Sequence, residues 1–311
     1  MKHFVKRILL FLVFGTTCFI PMHFIDILIS SLLRPKGYQS SWIDLYSNNI
    51  NSDLVIFGSS RAQQHIVSNL IADSLKISVY NLGGAALPIE LQLIRLKLLL
   101  NNCSQKPKYI SLECCYHSIA NGEYLFDEYQ IYPYMYRNHL YETYTHLLSQ
   151  SFSKYDFYIP IYRYRHRLLK MIKETIKKDT CCRGYYNLGH ERNASEYFVE
   201  DTDLRFDISS ERVDYLKEFI EICQQNNIKI DIIYTPEYYW QKYYTNKTEI
   251  LDTIKKVAEL YRIPFKDFSC DSIPINTDTI YYHDYTHLID KGARKFTSEY
   301  YVPYIKSLYG F

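Results

Sequence analysis

Four consecutive apolar residues, Leu54-Val55-Ile56-Phe57, run between Asp53 and Gly58. A strand apolar on both faces must be covered on both faces, the situation of a central strand in a parallel sheet. The chain then repeats this theme. Residues 61–75 carry Ile66, Leu70, Ile71 and Leu75 at helical spacing, and Ile77–Tyr80 reads as a second strand ending at Asn81-Leu82-Gly83-Gly84. Pro88 opens an apolar helix to about Asn101, proline being welcome in a first turn. Tyr109–Leu112 is a third strand, Ser209–Asn226 a helix, Ile228–Tyr234 a fourth strand, Glu249–Tyr261 a helix and Phe265–Phe268 a short strand. Asp278–Tyr282 is strand-like, and 289–307 is a closing helix. Such alternation predicts an α/β fold, a mostly parallel sheet with helices on both faces.

Two stretches fall outside this rhythm. Lys2, Lys6 and Arg7 precede a mostly apolar run from Ile8 to Leu33, long enough for a helix across a bilayer, with Pro21 inside it. His23 and Asp26 place its apolar core at Ile8 to about Ile25. No Ala-x-Ala-like cleavage site follows, so residues 1–34 read as an uncleaved signal anchor in the cytoplasmic membrane. The leading positive charges put the rest of the chain outside the cytoplasm. Residues 35–52 read as a polar linker and 53–311 as the α/β domain. Within that domain, 116–205 is rich in Tyr, Arg and His and reads as an insertion, a lid or cap with at least one helix at about 165–178.

Composition excludes some classes. A net charge of +2, with no basic helix or RNP-like motif, speaks against nucleic acid as a partner. Eight cysteines lack the Cys-x-x-Cys and His spacing of a zinc site, and no cofactor is expected. Buried, reduced cysteines are the expectation, with room for one bridge from Cys181 or Cys182. The 33 tyrosines suit sugar stacking, although compositional bias alone accounts for them.

The chemistry lies at the two ends of the domain. Gly58-Ser59-Ser60-Arg61 follows the first strand, and Asp284-Tyr285-Thr286-His287 lies near the chain end. Open α/β sheets place ligands at the carboxyl ends of their strands, so Ser60, Gly83 and His287 are expected on one rim. A serine there, a histidine to take its proton and an aspartate to orient the imidazole are the parts of an acyl-transfer site. The N–H of Gly83 is a candidate oxyanion donor. Arg61 is a candidate ligand for a substrate carboxylate or phosphate. Glu113 is either a substrate contact or a partner of Arg61, and His65 is structural.

The blocks Gly58-Ser59-Ser60, Asn81-Leu82-Gly83 and Asp284-Tyr285-Thr286-His287 resemble those of the SGNH, or GDSL-like, hydrolase superfamily, in particular its membrane-anchored bacterial branches. The likeness covers roughly 53–113 and 207–308. It implies a flavodoxin-like three-layer α/β/α fold, Ser60 as nucleophile, Gly83 as oxyanion donor, and Asp284 and His287 as the rest of the triad. Ser59 stands where many members carry Asp and is expected to tolerate that residue. The Gly-x-Asn-Asp block after the third strand, whose Asn is a second oxyanion donor, is replaced by Glu113-Cys114-Cys115-Tyr116, and Asn121 is wrongly spaced for it. The resemblance further implies a serine esterase or O-acyltransferase acting on acyl, above all acetyl, esters of envelope or exported polysaccharide. The alternative is a non-catalytic binding or assembly subunit of a polysaccharide export machine.

Overall fold

In the computed structural model the described residues are 2–33, 40–121, 131–137, 154–165, 168–176, 181–189, 204–238, 244–270 and 272–311. They fall into two compact units, one of residues 1–36 with 127–178, the other of 37–126 with 179–311. The segment read as one insertion is therefore shared. Its middle groups with the N-terminal helix, and its two ends group with the sheet.

The larger unit is built on a five-stranded sheet: β1 (Leu54–Phe57), β2 (Val79–Asn81), β3 (Tyr109–Glu113), β4 (Lys229–Tyr234) and β5 (Phe265–Asp267). The strand order is β2-β1-β3-β4-β5, all parallel. This is the doubly wound, flavodoxin-like order, whose direction of winding reverses between β1 and β3. The pleat sends alternate residues of β1 to opposite faces. Leu54 and Ile56 join a core with Ile71, Phe268, Phe296 and Ile305. On the other face the ring of Phe57 meets that of Phe219 edge-on at 5.2 Å. One strand centre is polar. Asp231 of β4 is buried and accepts from the hydroxyls of Ser111, Tyr304 and Tyr309, yet burial still pushes its carboxyl up to about 6.

Helices α3 (Ser60–His65) and α4 (Ser68–Leu75) replace the single helix expected over 61–75. The β-branched pair Ile66-Val67 is extended between them. Thr297 satisfies the break: its hydroxyl accepts from the Val67 N–H and donates to the His65 carbonyl. Helix α5 (Ile89–Asn102) starts after Pro88, and α7 (Ser210–Gln225) is capped by Ser209, whose hydroxyl accepts from Arg212 N–H. Between them α6 (Tyr116–Ile119) follows β3. Helix α8 (Lys247–Leu260) leads to β5. The strand-like Asp278–Tyr282 is instead a 3-10 turn over Thr279–Tyr281, begun by the Asp278 carboxylate accepting from Ile280 N–H. The closing helix is interrupted: α9 (Asp290–Phe296), a π-helical turn (Thr297–Tyr301) and α10 (Val302–Tyr309). The linker reading of 35–52 fails over its middle. Ser40–Tyr46 is a helix, α2, with Trp42 and Leu45 buried, because an isolated Trp-x-x-Leu pair supplies an apolar helix face.

In the smaller unit α1 (Lys2–Leu32) is a single helix of 31 residues with Pro21 inside, apolar and long enough to cross a membrane. Its last turns are polar on one side. Asp26, buried, pairs with Arg163 and accepts from the Ile161 N–H at 2.8 Å, and Ser30 Oγ lies 2.5 Å from the Tyr164 hydroxyl. The helix expected at about 165–178 is present as Leu168–Ile176. Cys18, Cys103, Cys114, Cys115, Cys223 and Cys270 are unbridged, and the side chains of Cys181 and Cys182 lie outside the described residues.

Candidate active site

The turn from β1 into α3 is shaped by Gly58, at φ 149°, a backbone conformation that side chains disfavour. A Cβ there would come within 2.6 Å of Ala62 and of Glu113. Ser59 is the helix cap, its hydroxyl accepting from Arg61 N–H at 3.2 Å. Its own N–H and hydroxyl both donate to Glu113 Oε2, at 3.0 and 2.9 Å. Ser59 and Glu113 are buried, so this position is matched to a carboxylate at the end of β3. That neighbour argues against the expectation that Ser59 tolerates Asp, since a second carboxylate would face the first.

Ser60, the first residue of α3, faces the loop before α9. Its Oγ lies 2.8 Å from His287 Nε2, and His287 Nδ1 lies 2.8 Å from Asp284 Oδ2. Asp284 Oδ1 also accepts from the N–H groups of Thr286 and His287, so acid and base are held in one tight turn. Burial alone would raise the Asp284 carboxyl; the bonds from His287 and Thr286 hold it well below the usual range. An ionised Asp284 fixes the imidazole proton on Nδ1 and leaves Nε2 to accept from the serine hydroxyl. His65 is structural, as expected. It is fully buried, and its Nε2 accepts from the Leu288 N–H directly behind His287.

Two expected roles are not found. Arg61 is buried and committed: it pairs with Glu237, donates to Thr235 Oγ1 and lies over the Tyr234 ring at 4.5 Å. Glu237 also receives Lys247 at 3.2 Å. Although burial works against its charge, those two cations hold Glu237 below the ordinary carboxylate range. Arg61 therefore braces the floor of the site, with Glu113 Oε1 3.7 Å from its Nε, and does not await a substrate anion. Gly83 is likewise spoken for. Its N–H donates to Asn81 Oδ1 at 2.8 Å, and the space a Cβ would need is taken by the backbone of Gln63. Glycine is needed there for close packing of the β2 turn on α3.

A cavity of about 220 Å³ opens beside Ser60, lined by Ser59, Arg61, Ala86, Cys115, Tyr116, His117, Thr286 and His287. It lies outside the carboxyl ends of β1 and β3, where the winding reverses. From the β2 turn it is Ala86, not Gly83, that reaches the wall, and Ala86 is in the left-handed region at φ 53°. His117 stands on the wall, in the helix that follows β3. Its Nε2 is buried without a hydrogen-bond partner. Burial and the charge of Arg212 push its imidazole below the ordinary histidine range, against the opposing Ala86 carbonyl, so it is neutral at pH 7. Cys115 is a poor nucleophile here, since burial and Glu113 push its thiol up to about 12. Sequence reasoning passed over Ala86 and His117. Left-handed backbone at an alanine has no sequence signature, and a single histidine four residues beyond Glu113 matched no known block.

No protein-family profile matches the chain, and no curated protein matches it by sequence. Among solved structures it is similar to a GDSL-like lipase from Bacteroides thetaiotaomicron, at 10% identity over 86% of this chain and 98% of that one, with a TM-score of 0.40. It is similar to an acetyl-xylooligosaccharide esterase from Geobacillus, at 11% identity over 79% and 91%, with a TM-score of 0.40. An SGNH-hydrolase family esterase aligns at 12% identity over 83% and 98%, with a TM-score of 0.37.

Proposed function

We propose that the chain is a serine ester hydrolase or O-acyltransferase working through an acyl-Ser60 intermediate. The observation that carries this reading is the unbroken line from Ser60 Oγ through His287 to Asp284, each link 2.8 Å. His287 Nε2 takes the hydroxyl proton as Ser60 attacks the ester carbonyl, and returns it to the leaving alcohol. Asp284 stabilises the imidazolium that forms. The proposed oxyanion donors are the N–H groups of Ser60 and Ala86, neither of which donates to another group among the described residues.

The cavity is smaller than the roughly 300–1,000 Å³ typical of drug-sized ligands, which favours a short acyl group such as acetyl. Tyr116 on its wall, stacked on Phe206 at 4.3 Å, adds aromatic surface of the kind sugars pack against. We therefore favour acetyl esters of envelope or exported polysaccharide as substrates, with water or a sugar hydroxyl as acceptor. In this reading α1 spans the cytoplasmic membrane and the site faces outward.

The test is covalent labelling of full-length protein by a fluorophosphonate probe, alongside turnover of an aryl acetate. Wild type should label and turn over, and Ser60→Ala should do neither while keeping its circular dichroism. An unlabelled, inactive wild type would leave the non-catalytic reading standing. Activity that survives in Ser60→Ala would remove the nucleophile assignment.

A further inference from the structure

The smaller unit carries an apolar surface besides that of α1. In the helix Leu168–Ile176, Leu169 and Ile176 are each 76% exposed, and Leu168 and Ile172 each 37%. At 100° per residue these four share one arc of about 100°, while Lys170, Lys173 and Glu174 occupy the polar arc and Met171 is buried. The surrounding sequence is basic over 163–178: Arg167, Lys170, Lys173, Lys177 and Lys178 stand against Glu174, besides Arg163 and Arg165, which pair with Asp26 and Asp156. Apolar residues on one side and Lys on the other make the pattern of a helix that lies in a membrane interface.

The structure also gives this surface a depth. The 18 residues from Ile8 to Ile25 span about 27 Å as a helix, close to the roughly 30 Å of a bilayer core. Asp26 comes next, and it is Asp26 that Arg163 and the Ile161 N–H bind. The segment 155–165 is thereby fastened to α1 at the level where the apolar span ends. Tyr155, Tyr158 and Tyr162 are exposed there, and Arg165 lies over the Tyr162 ring at 3.9 Å. Tyrosines with adjacent cations are characteristic of the headgroup layer.

We propose that this face is a second membrane contact: Tyr155, Tyr158 and Tyr162 sit among lipid headgroups, and the helix Leu168–Ile176 lies in the interface of an anionic phospholipid bilayer where α1 emerges. The inference rests on α1 spanning that bilayer. Continuity with the span and the basic flank favour lipid over a second copy of the chain or an anionic polymer.

Full-length Leu169→Trp and Phe14→Trp proteins, each reconstituted in phosphatidylcholine/phosphatidylglycerol vesicles, separate the possibilities. Both positions are highly exposed, so packing is undisturbed. The wild-type signal from its two tryptophans is subtracted. Lipids brominated near the ester end should quench Leu169→Trp roughly twofold, and more than lipids brominated near the chain end, because an interfacial helix sits only about 5–10 Å deep. Phe14→Trp should show the reverse order. Quenching of Phe14→Trp without Leu169→Trp overturns the second contact and leaves the anchor. Loss of both overturns the anchor and this inference with it. A blue shift of Leu169→Trp that tracks protein density without lipid quenching assigns the face to a second copy and overturns the proposal. A shift only on adding dextran sulfate assigns it to an anionic polymer, with the same consequence.

Discussion

Ser59→Asp is the sharpest test of how the site is built. It would place a carboxylate where the Ser59 hydroxyl now donates to Glu113 Oε2 at 2.9 Å, in a buried position. Two charges about 3 Å apart repel by about 5 kcal/mol at an effective dielectric constant of about 20. The pair escapes by keeping one proton between them. At pH 8 holding that proton costs about 1.4 kcal/mol per unit above an ordinary carboxyl value near 4, or about 5 kcal/mol in all. The short bond formed, with Arg61 nearby, returns about 2 kcal/mol. Ser59→Asp should therefore be about 3 kcal/mol less stable than Ser59→Ala at pH 8, a Tm lower by about 6–12 °C. The gap should close towards about pH 5, where the proton is held at little cost. Adding Glu113→Gln should restore stability at pH 8. Thermal unfolding by circular dichroism at both pH values reads all of this. Equal stability of Ser59→Asp and Ser59→Ala at pH 8 would refute the reasoning.

Within the triad, His287→Ala should cost nearly as much kcat on an aryl acetate as Ser60→Ala, and the double variant little more, because the two act as one unit; additive losses would separate them. Asp284→Asn should be less severe than either, as the base stays in place. Asp231 sets a pH dependence of stability. Its folded value of about 6 lies above the unfolded 3.8, so its proton stabilises the fold below 3.8 and that contribution is lost as pH rises through 6. The stability difference between wild type and Asp231→Asn, from denaturant unfolding, should thus change by about 1.4 kcal/mol between pH 5 and 7.5, with the variant relatively better at the higher pH.

The parts of the fold legible in the sequence are those where local pattern and burial agree. Leu54–Phe57 needs no tertiary information, since four apolar residues can only be central. Ser209 announces its helix by the same side chain that caps it. What misled is tertiary. The break at Ile66-Val67 depends on Thr297, far along the chain, and helical spacing across 61–75 conceals it. Asp278–Tyr282 looks like a strand because Thr, Ile and Tyr favour strands, yet its cap bond commits it to a turn. The triad was legible because its three side chains stand in short blocks. The proposed oxyanion donors were not, because an N–H group is supplied by backbone shape: the Gly83 N–H turns to Asn81, and it is Ala86 that reaches the cavity wall. Arg61 beside a nucleophile invited a substrate role; only the buried Glu237, on the loop after β4, shows the charge already answered.

The contact between Ser60 and His287 joins residues 227 positions apart. Closing a loop of that length costs about 5 kcal/mol of chain entropy, which local structure near either residue cannot offset. The offset comes from the end of the chain, where α9 packs on α3 and Thr297 ties both sides of the break after His65. A growing chain therefore makes Ser60 long before His287, and the two meet only once α9 has docked on α3. Under the role proposed for Ser60, the order of synthesis keeps the serine from acting before its base is in place.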